Sequence, residues 1–315
     1  MVKVLVLGAT GKQGGATATA LLSSSSQHAV RAYVRDVSSE KARALAAAGA
    51  ELVKGGDWDR DVASLDRALA GGIEAVFFPS TPSFADPEAE VRGATNIVEA
   101  AKRAGTVTHV LYSTVGGVPR FRALPGWDSS PFFANYWTSK AKGEELVRTA
   151  GFAHYTILRP KEFMSNYAVA EPGNSPLREL ARDGVLRTAH PADAPLSFVD
   201  VADVGRVAAA AIEAPGTFAG GKPTRELDVV AERLTPSELV ARLGEVAGKT
   251  LRVHTYAPGE AAELAKTNPV VAGQITRKAN EEHMVPDDFG LGFTTFRDYL
   301  AKHRDAVVEL YKNAP

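Results

Sequence analysis

The chain has 315 residues, no cysteine, and 36 Lys plus Arg against 37 Asp plus Glu, giving a net charge of −1 at pH 7. That balance excludes a dominant nucleic-acid footprint, which would need a strongly basic domain. The missing thiols exclude disulfides, thiolate metal sites and a cysteine nucleophile. With 45% hydrophobic and 23% charged residues, the composition is that of a globular protein of one large or two modest domains. No apolar run reaches the roughly 18 residues of a spanning helix, and no export cleavage pattern follows Val4–Leu7. The expectation is a cytoplasmic protein with no membrane partner and no direct contact to nucleic acid.

Short apolar runs alternate with helical stretches through the first half. Strands are predicted at Val2–Leu7, Val30–Val34, Glu51–Val53, Ala75–Phe78, Thr108–Tyr112 and His154–Leu158. Helices are predicted at Lys12–Ser23, Glu40–Ala48, Ser64–Ala70, Pro87–Ala104 and Thr138–Ala150. Continuous apolar strands alternating with helices imply right-handed βαβ units in a Rossmann-type, doubly wound parallel α/β sheet. The second half is punctuated by Pro258, Pro269 and Pro286. One helix there is well signalled: Thr235-Pro236-Ser237-Glu238 supplies an N-cap, a Pro at N1 and a capping-box Glu, with Gly248 as the stop. Asp200 and Asp203 are placed as caps before the apolar helix Val204–Ile212, and Thr294 or Thr295 as the cap of a last helix through His303. The predicted division is a dinucleotide-binding domain over 1–160, rejoined by segments near 196–230, and a smaller mixed α/β substrate-binding region over 161–315.

Gly8-Ala9-Thr10-Gly11-Lys12-Gln13-Gly14 lies between the first strand and the first helix. Glycines permit the tight turn and the close approach of backbone to a pyrophosphate. The helix N-terminus presents free N–H groups and the positive end of its dipole. Because strand and helix flank the motif, it reads as a dinucleotide-binding loop, with Gly8, Thr10, Gly11, Lys12, Gln13 and Gly14 as cofactor residues. The Gly-x-x-Gly-x-x-Gly spacing resembles the short-chain dehydrogenase/reductase superfamily, and Gly-Ala-Thr-Gly its extended and atypical branches.

The second strand ends Ala32-Tyr33-Val34-Arg35-Asp36. Val34 stands where an NAD-selecting acid is expected, and Arg35 offers a permanently charged fork to a 2′-phosphate. Lys12 can add a second cation, so the expected cofactor is NADP(H), with Asp36 keeping NAD(H) as the alternative. The superfamily resemblance places an adenine contact at Asp57, which could equally be a turn or capping Asp. Thr81, just past the fourth strand, is a further cofactor candidate.

Tyr136-Trp137-Thr138-Ser139-Lys140 contains Tyr-x-x-x-Lys, and residues i and i+4 share a helix face. A lysine one turn from a tyrosine lowers the phenol's pKa and can hold a nicotinamide ribose, leaving Tyr136 as general acid or base. Ser113 and Thr114 end the fifth strand, where the superfamily places a carbonyl-polarising hydroxyl; spacing does not choose between them. The chain resembles the NmrA-like family over nearly its whole length. The resemblance is carried by the Gly8–Gly15 loop with Gln13, Val30–Arg35, Gly56-Asp57, Gly93-Ala94-Thr95-Asn96-Ile97 and Leu111-Tyr112-Ser113. It continues in Ser139-Lys140, Ile157–Asn166, Val201-Ala202-Asp203-Val204-Gly205 and Phe293–Leu300. It implies either a reductase of quinones or related aromatics or an NADP(H)-binding regulator without turnover. The family often replaces the tyrosine and keeps the lysine, so Tyr136 tilts the reading towards an enzyme.

Phe163 and Asn166 follow the sixth strand, at the carboxyl end where open α/β sheets bind ligands, and are assigned to the nicotinamide end. Residues 116–135 are read as a loop beside the cleft. Its Trp127, Phe132 and Phe133 suggest a flat apolar substrate, although a lid packed on its own domain fits equally. The seven histidines show no i, i+3 or i+4 pair, so no metal is expected, and no Gly-x-Ser-x-Gly elbow signals a hydrolase. The leading expectation is therefore an NADPH-dependent oxidoreductase acting on a carbonyl- or quinone-like aromatic small molecule. The alternatives are a non-catalytic redox-sensing regulator working through a protein partner, and an isomerase or lyase that recycles its cofactor. A homodimer is open under each.

Overall fold

The computed structural model describes residues 1–83, 85–168, 175–218 and 221–315. Strands β1 (Lys3–Val6), β2 (Ala29–Val34), β3 (Glu51–Lys54), β4 (Ala75–Pro79), β5 (His109–Ser113) and β6 (His154–Pro160) come first. They alternate with helices α1 (Lys12–Leu22), α2 (Glu40–Ala47), α3 (Val62–Leu69), α4 (Ala89–Ala104) and α5 (Pro131–Thr149). Next come β7 (Glu162–Phe163), α6 (Ser165–Ala168), α7 (Ser175–Asp183), β8 (Val185–Thr188), β9 (Leu196–Val199), α8 (Val201–Glu213), β10 (Glu226–Val229) and β11 (Glu232–Leu234). The chain closes with α9 (Pro236–Ala247), β12 (Arg252–Thr255), α10 (Pro258–Ala265), α11 (Pro269–Asn280), α12 (Phe296–Lys302) and α13 (Arg304–Tyr311).

Seven parallel strands form one sheet in the order β10-β6-β5-β4-β1-β2-β3. The order reverses between β1 and β4, and that switch point opens a crevice at the strands' carboxyl ends. Both faces are covered. Val4 and Val6 pack towards the side holding α1, α2 and α8, while Leu5 and Leu7 pack towards α3 and α4. Period-two alternation of uniformly apolar residues is what a strand buried on both sides requires. On the first face α1 and α8 cross closely. A Cβ on Gly205 would lie 2.4 Å from the Ala16 backbone, so the crossing depends on glycine in α8 and small residues in α1.

The remaining chain builds a smaller unit. A three-stranded sheet, β11-β9-β7, and a parallel pair, β12-β8, enclose a core that includes Phe198, Leu239, Phe296 and Tyr311.

Several boundaries differ from the sequence expectation. α5 begins at Pro131, capped by Ser130, so Phe132 and Phe133 sit on its first turn rather than on a loop. The preceding segment holds a 3-10 turn, Val118–Ala123. Asp200 caps α8 through the Ala202 N–H, whereas Asp203 lies inside the helix. Asp203 is fully buried and accepts hydrogen bonds from Arg206 and the Thr294 N–H. The helix expected to run through His303 is α12, capped by Thr295 and ending at His303, and a further helix, α13, follows it that the sequence expectation did not include. α10 and α11 start at prolines that had been read as punctuation. Among the described residues no helix is long and apolar enough to cross a membrane, and no three metal-ligating side chains cluster.

Candidate active site

The glycine loop connects β1 to α1 by a turn that only glycine can make. Gly8 has φ +63°, a left-handed conformation costly for residues with a Cβ, and its carbonyl accepts the Gly11 N–H at 2.8 Å. Gly14 is the tightest point. A Cβ there would lie 2.3 Å from the Gly8 carbonyl oxygen and 2.7 Å from that of Leu7. The start of α1 is thereby pressed against the end of β1, and residues 11–14 line the crevice.

From this loop a groove of about 870 Å3 runs along the carboxyl ends of β1, β2 and β4. That volume lies within the usual range for a ligand or cofactor site. Of the sequence candidates, Gly8, Thr10, Gly11, Lys12, Gln13, Gly14, Arg35, Asp57, Thr81 and Phe163 all line it. Beside Arg35 the groove continues into a side lobe bordered by Lys54, Asp57 and Arg67. The Arg35 guanidinium stands 4.0 Å from the Asp57 carboxylate, and its side chain is 83% exposed. A cationic fork so open at the groove end fits a phosphate on an adenosine ribose. Trp58, Arg60 and Asp86 also border the groove and were not singled out from the sequence. The signal for Trp58 was present: Gly93 on α4 leaves room for it, since a Cβ there would meet the indole at 2.5 Å.

At the opposite end Lys12 reaches over the switch point. Its Nζ donates to Asn166 Oδ1 at 3.3 Å and lies 5.9 Å from the Phe163 ring centre. Asn166 Nδ2 donates to Glu162 at 2.6 Å, and Glu162 is ion-paired with Arg277 of α11. Glycine loop, β7 and the carboxyl-terminal unit thus meet at one place. Behind it lies a small cavity of about 40 Å3, lined by His190, Gln274 and Glu281 among others, with room for about three waters. Burial pushes His190 down to about 4 despite the opposing pull of Glu281, so this ring is neutral at physiological pH.

None of the catalytic candidates Ser113, Thr114, Tyr136 and Lys140 is among the residues that line the groove, and each has a defined partner. Ser113 is fully buried and donates to Gln13 Oε1 at 2.6 Å, so the loop glutamine and the strand-end serine form one unit. Thr114 donates to Glu144 Oε1 at 2.7 Å, which commits its hydroxyl to α5. Lys140 does not point freely into the groove. Its Nζ donates to both oxygens of Glu90 at 3.0 and 3.2 Å, Ser139 Oγ donates to the same carboxylate at 3.1 Å, and the ammonium lies 4.2 Å from the Tyr136 ring centre. Glu90 was missed at sequence level. It lies on the face of α4 that also carries Ala94, Ile97 and Ala101, and a carboxylate on such an apolar stripe was the available clue. The aromatic segment packs largely on itself. Phe121 stands edge-on to Trp127 and parallel to Trp137. Phe133 is buried against Gly273 of α11, and Phe132 lies 6.3 Å from Tyr136.

Comparison with known proteins agrees with this architecture. The sequence model of the NmrA-like family matches residues 2–284. A (4-alkanoyl-5-oxo-2,5-dihydrofuran-3-yl)methyl phosphate reductase from Streptomyces griseus is 30% identical, covering 96% of this chain and 98% of that protein. Among solved structures, the NADP(H) complex of Citrobacter sp. triphenylmethane reductase superposes with a TM-score of 0.72 at 24% identity, over 95% of this chain and 99% of that one. An NADPH-dependent quinone oxidoreductase from Escherichia coli superposes with a TM-score of 0.68 at 21% identity, over 96% and 99%. A family match across most of the chain and an end-to-end relative coincide with the glycine loop, the switch-point groove and the interleaved second unit: the chain belongs to the NmrA-like family.

Proposed function

We propose that this protein is an NADPH-dependent oxidoreductase that reduces an electron-poor, conjugated small molecule. The carrying observation is the groove itself: a glycine cradle that no Cβ could enter at one point, and an exposed Arg35 at the ribose end. The relatives add the chemistry, since their names give a dihydrofuranone phosphate, a triphenylmethane and a quinone, small molecules built on unsaturated rings. When bound, NADPH supplies the hydride. The N–H groups of residues 11–14 and the α1 dipole hold the pyrophosphate. Arg35, with Lys54 and Arg67 nearby, holds the 2′-phosphate, and Lys12 adds charge at the loop. Phe163, with Asn166 beside it, would bind at the nicotinamide end. In this reading Ser113, fixed by Gln13, would polarise the substrate oxygen, and Tyr136, on α5, would supply the proton.

Two expected results follow. Replacing Arg35 by alanine raises the NADPH dissociation constant about 10- to 100-fold, the loss of one charge-assisted phosphate contact of roughly 1.5–3 kcal/mol, and leaves NADH nearly unaffected. Fluorescence titration with both cofactors checks this, and parallel losses for both would remove the 2′-phosphate assignment. Tyr136→Phe lowers turnover about 10²- to 10⁴-fold on the best acceptor of a quinone and enone panel while leaving NADPH affinity unchanged. Wild-type turnover in that variant would remove Tyr136 from the reaction. Tight NADPH binding without oxidation across the whole panel would favour the regulatory reading instead.

A further inference from the structure

Lys140 and Glu90 form an ion pair that the reductase reading leaves unexplained. Their side chains are 2% and 4% exposed, and stripping water from two charges costs several kcal/mol per ion unless the geometry repays it. Here it does, because the carboxylate accepts from Lys140 with both oxygens and from Ser139. The pair joins α4 to α5 immediately behind Ala89, which lines the cofactor groove. It also sets the ammonium above the ring face of Tyr136.

We propose that Glu90 is a positioning residue that keeps Lys140 charged and seated on Tyr136, so the working unit is a Glu90–Lys140–Tyr136 triad drawn from two helices. This rests on the reading of Tyr136 as the proton-handling group. The physical reason is that a lysine this deeply enclosed sheds its proton unless a counter-charge is in contact. Among the described residues Glu90 is that counter-charge. Other charged and titratable groups face the cluster. Arg277 of α11 lies within electrostatic reach of Tyr136. Tyr112 of β5 lies near Glu90 and Glu144, and burial followed by those two carboxylates pushes its phenol well above the ordinary value. Tyr112 therefore stays neutral and adds no competing charge. Without Glu90, the two hydrogen bonds that hold the Lys140 ammonium over the Tyr136 ring are lost.

The test compares wild type, Glu90→Gln, Lys140→Met and the double variant. The first readout is the pH profile of NADPH oxidation; the second is the phenolate absorbance of the cofactor-free protein, with Tyr136→Phe subtracted to isolate Tyr136. In both single variants the alkaline limb and the Tyr136 titration move to higher pH by about one unit, the effect of removing one opposite charge at short range. The double variant coincides with the singles. A Glu90→Gln protein that loses thermal stability but keeps the wild-type limb and titration overturns the proposal and leaves a purely structural ion pair. Should Glu90→Gln not fold, Glu90→Asp, which withdraws the carboxylate by one methylene, serves instead. An intermediate displacement supports the triad, and coincidence with wild type overturns it. If no acceptor supports NADPH oxidation, the phenolate titration still decides the triad, and only the reductase reading falls.

Discussion

Gly14→Val is expected to abolish measurable cofactor binding, with the NADPH dissociation constant raised at least about 100-fold, equivalent to roughly 3 kcal/mol. The cause is backbone against backbone. Any Cβ at this position meets the Gly8 carbonyl oxygen at 2.3 Å, the Gly8 carbonyl carbon at 2.6 Å and the Leu7 carbonyl oxygen at 2.7 Å. None of these can swing aside as a flexible side chain can. The helix start must lift away from β1, taking with it the N–H groups that would meet the pyrophosphate. Overpacking of this kind also costs about 1–3 kcal/mol of stability, so the thermal midpoint falls with the affinity. Gly15→Ala is the internal control: its Cβ would stand 3.2 Å from the Ala9 carbonyl, and a much smaller loss is expected. NADPH titration of both variants, with thermal unfolding alongside, checks the pair. Equal affinities for Gly14→Val and wild type would sink the cradle assignment.

The second large effect lies on the far side of α5. Glu144→Ala is expected to destabilise the protein by about 3 kcal/mol, the lower end of the cost of breaking a buried ion pair, because Arg159 keeps Glu226 as a second partner. The Arg159 side chain is 5% exposed and that of Glu144 3%. They are joined by two hydrogen bonds at 3.0 and 2.6 Å, and the Thr114 hydroxyl loses its nearer acceptor and keeps the Leu158 carbonyl at 3.4 Å. Glu226, which holds Arg159 from β10 at 2.5 Å, is 31% exposed. Removing it should cost clearly less, because water replaces part of what is lost. Urea unfolding of the two variants gives the comparison, and a Glu144→Ala loss no larger than that of Glu226→Ala would contradict the burial argument.

The sheet and the glycine loop were readable because their causes are local. A strand buried on both faces must be apolar throughout, and a turn that admits only glycine leaves glycines at fixed spacing. Arg35 was readable for the same reason, as the residue next after a strand end. What stayed hidden depended on partners distant in sequence. Glu90 acquires meaning only opposite Lys140, and Ser113 and Gln13, both candidates from the sequence, could not be read as a hydrogen-bonded pair. Three helix starts were obscured by proline. Pro131, Pro258 and Pro269 all open helices at the first turn, the position where a missing N–H costs nothing. The same signature at Thr235-Pro236 was recognised because a capping-box glutamate accompanied it. Asp203 was mistaken for a cap because an acidic residue near a helix start is ordinary there. Its burial beneath Arg206 and Thr294 is a property of the second unit's approach.

The crossing of α1 and α8, closed by Gly205 on Ala16, has a consequence for the order of synthesis. The helix that carries the phosphate loop is translated well before the surface that covers it, which comes only with residues 201–213, and before the last strand of its sheet, which comes only with residues 226–229. Until then the nascent loop lacks the support that holds α1 in place. A nascent chain stalled before α8 should therefore retain no NADPH, whereas one stalled after β10 should.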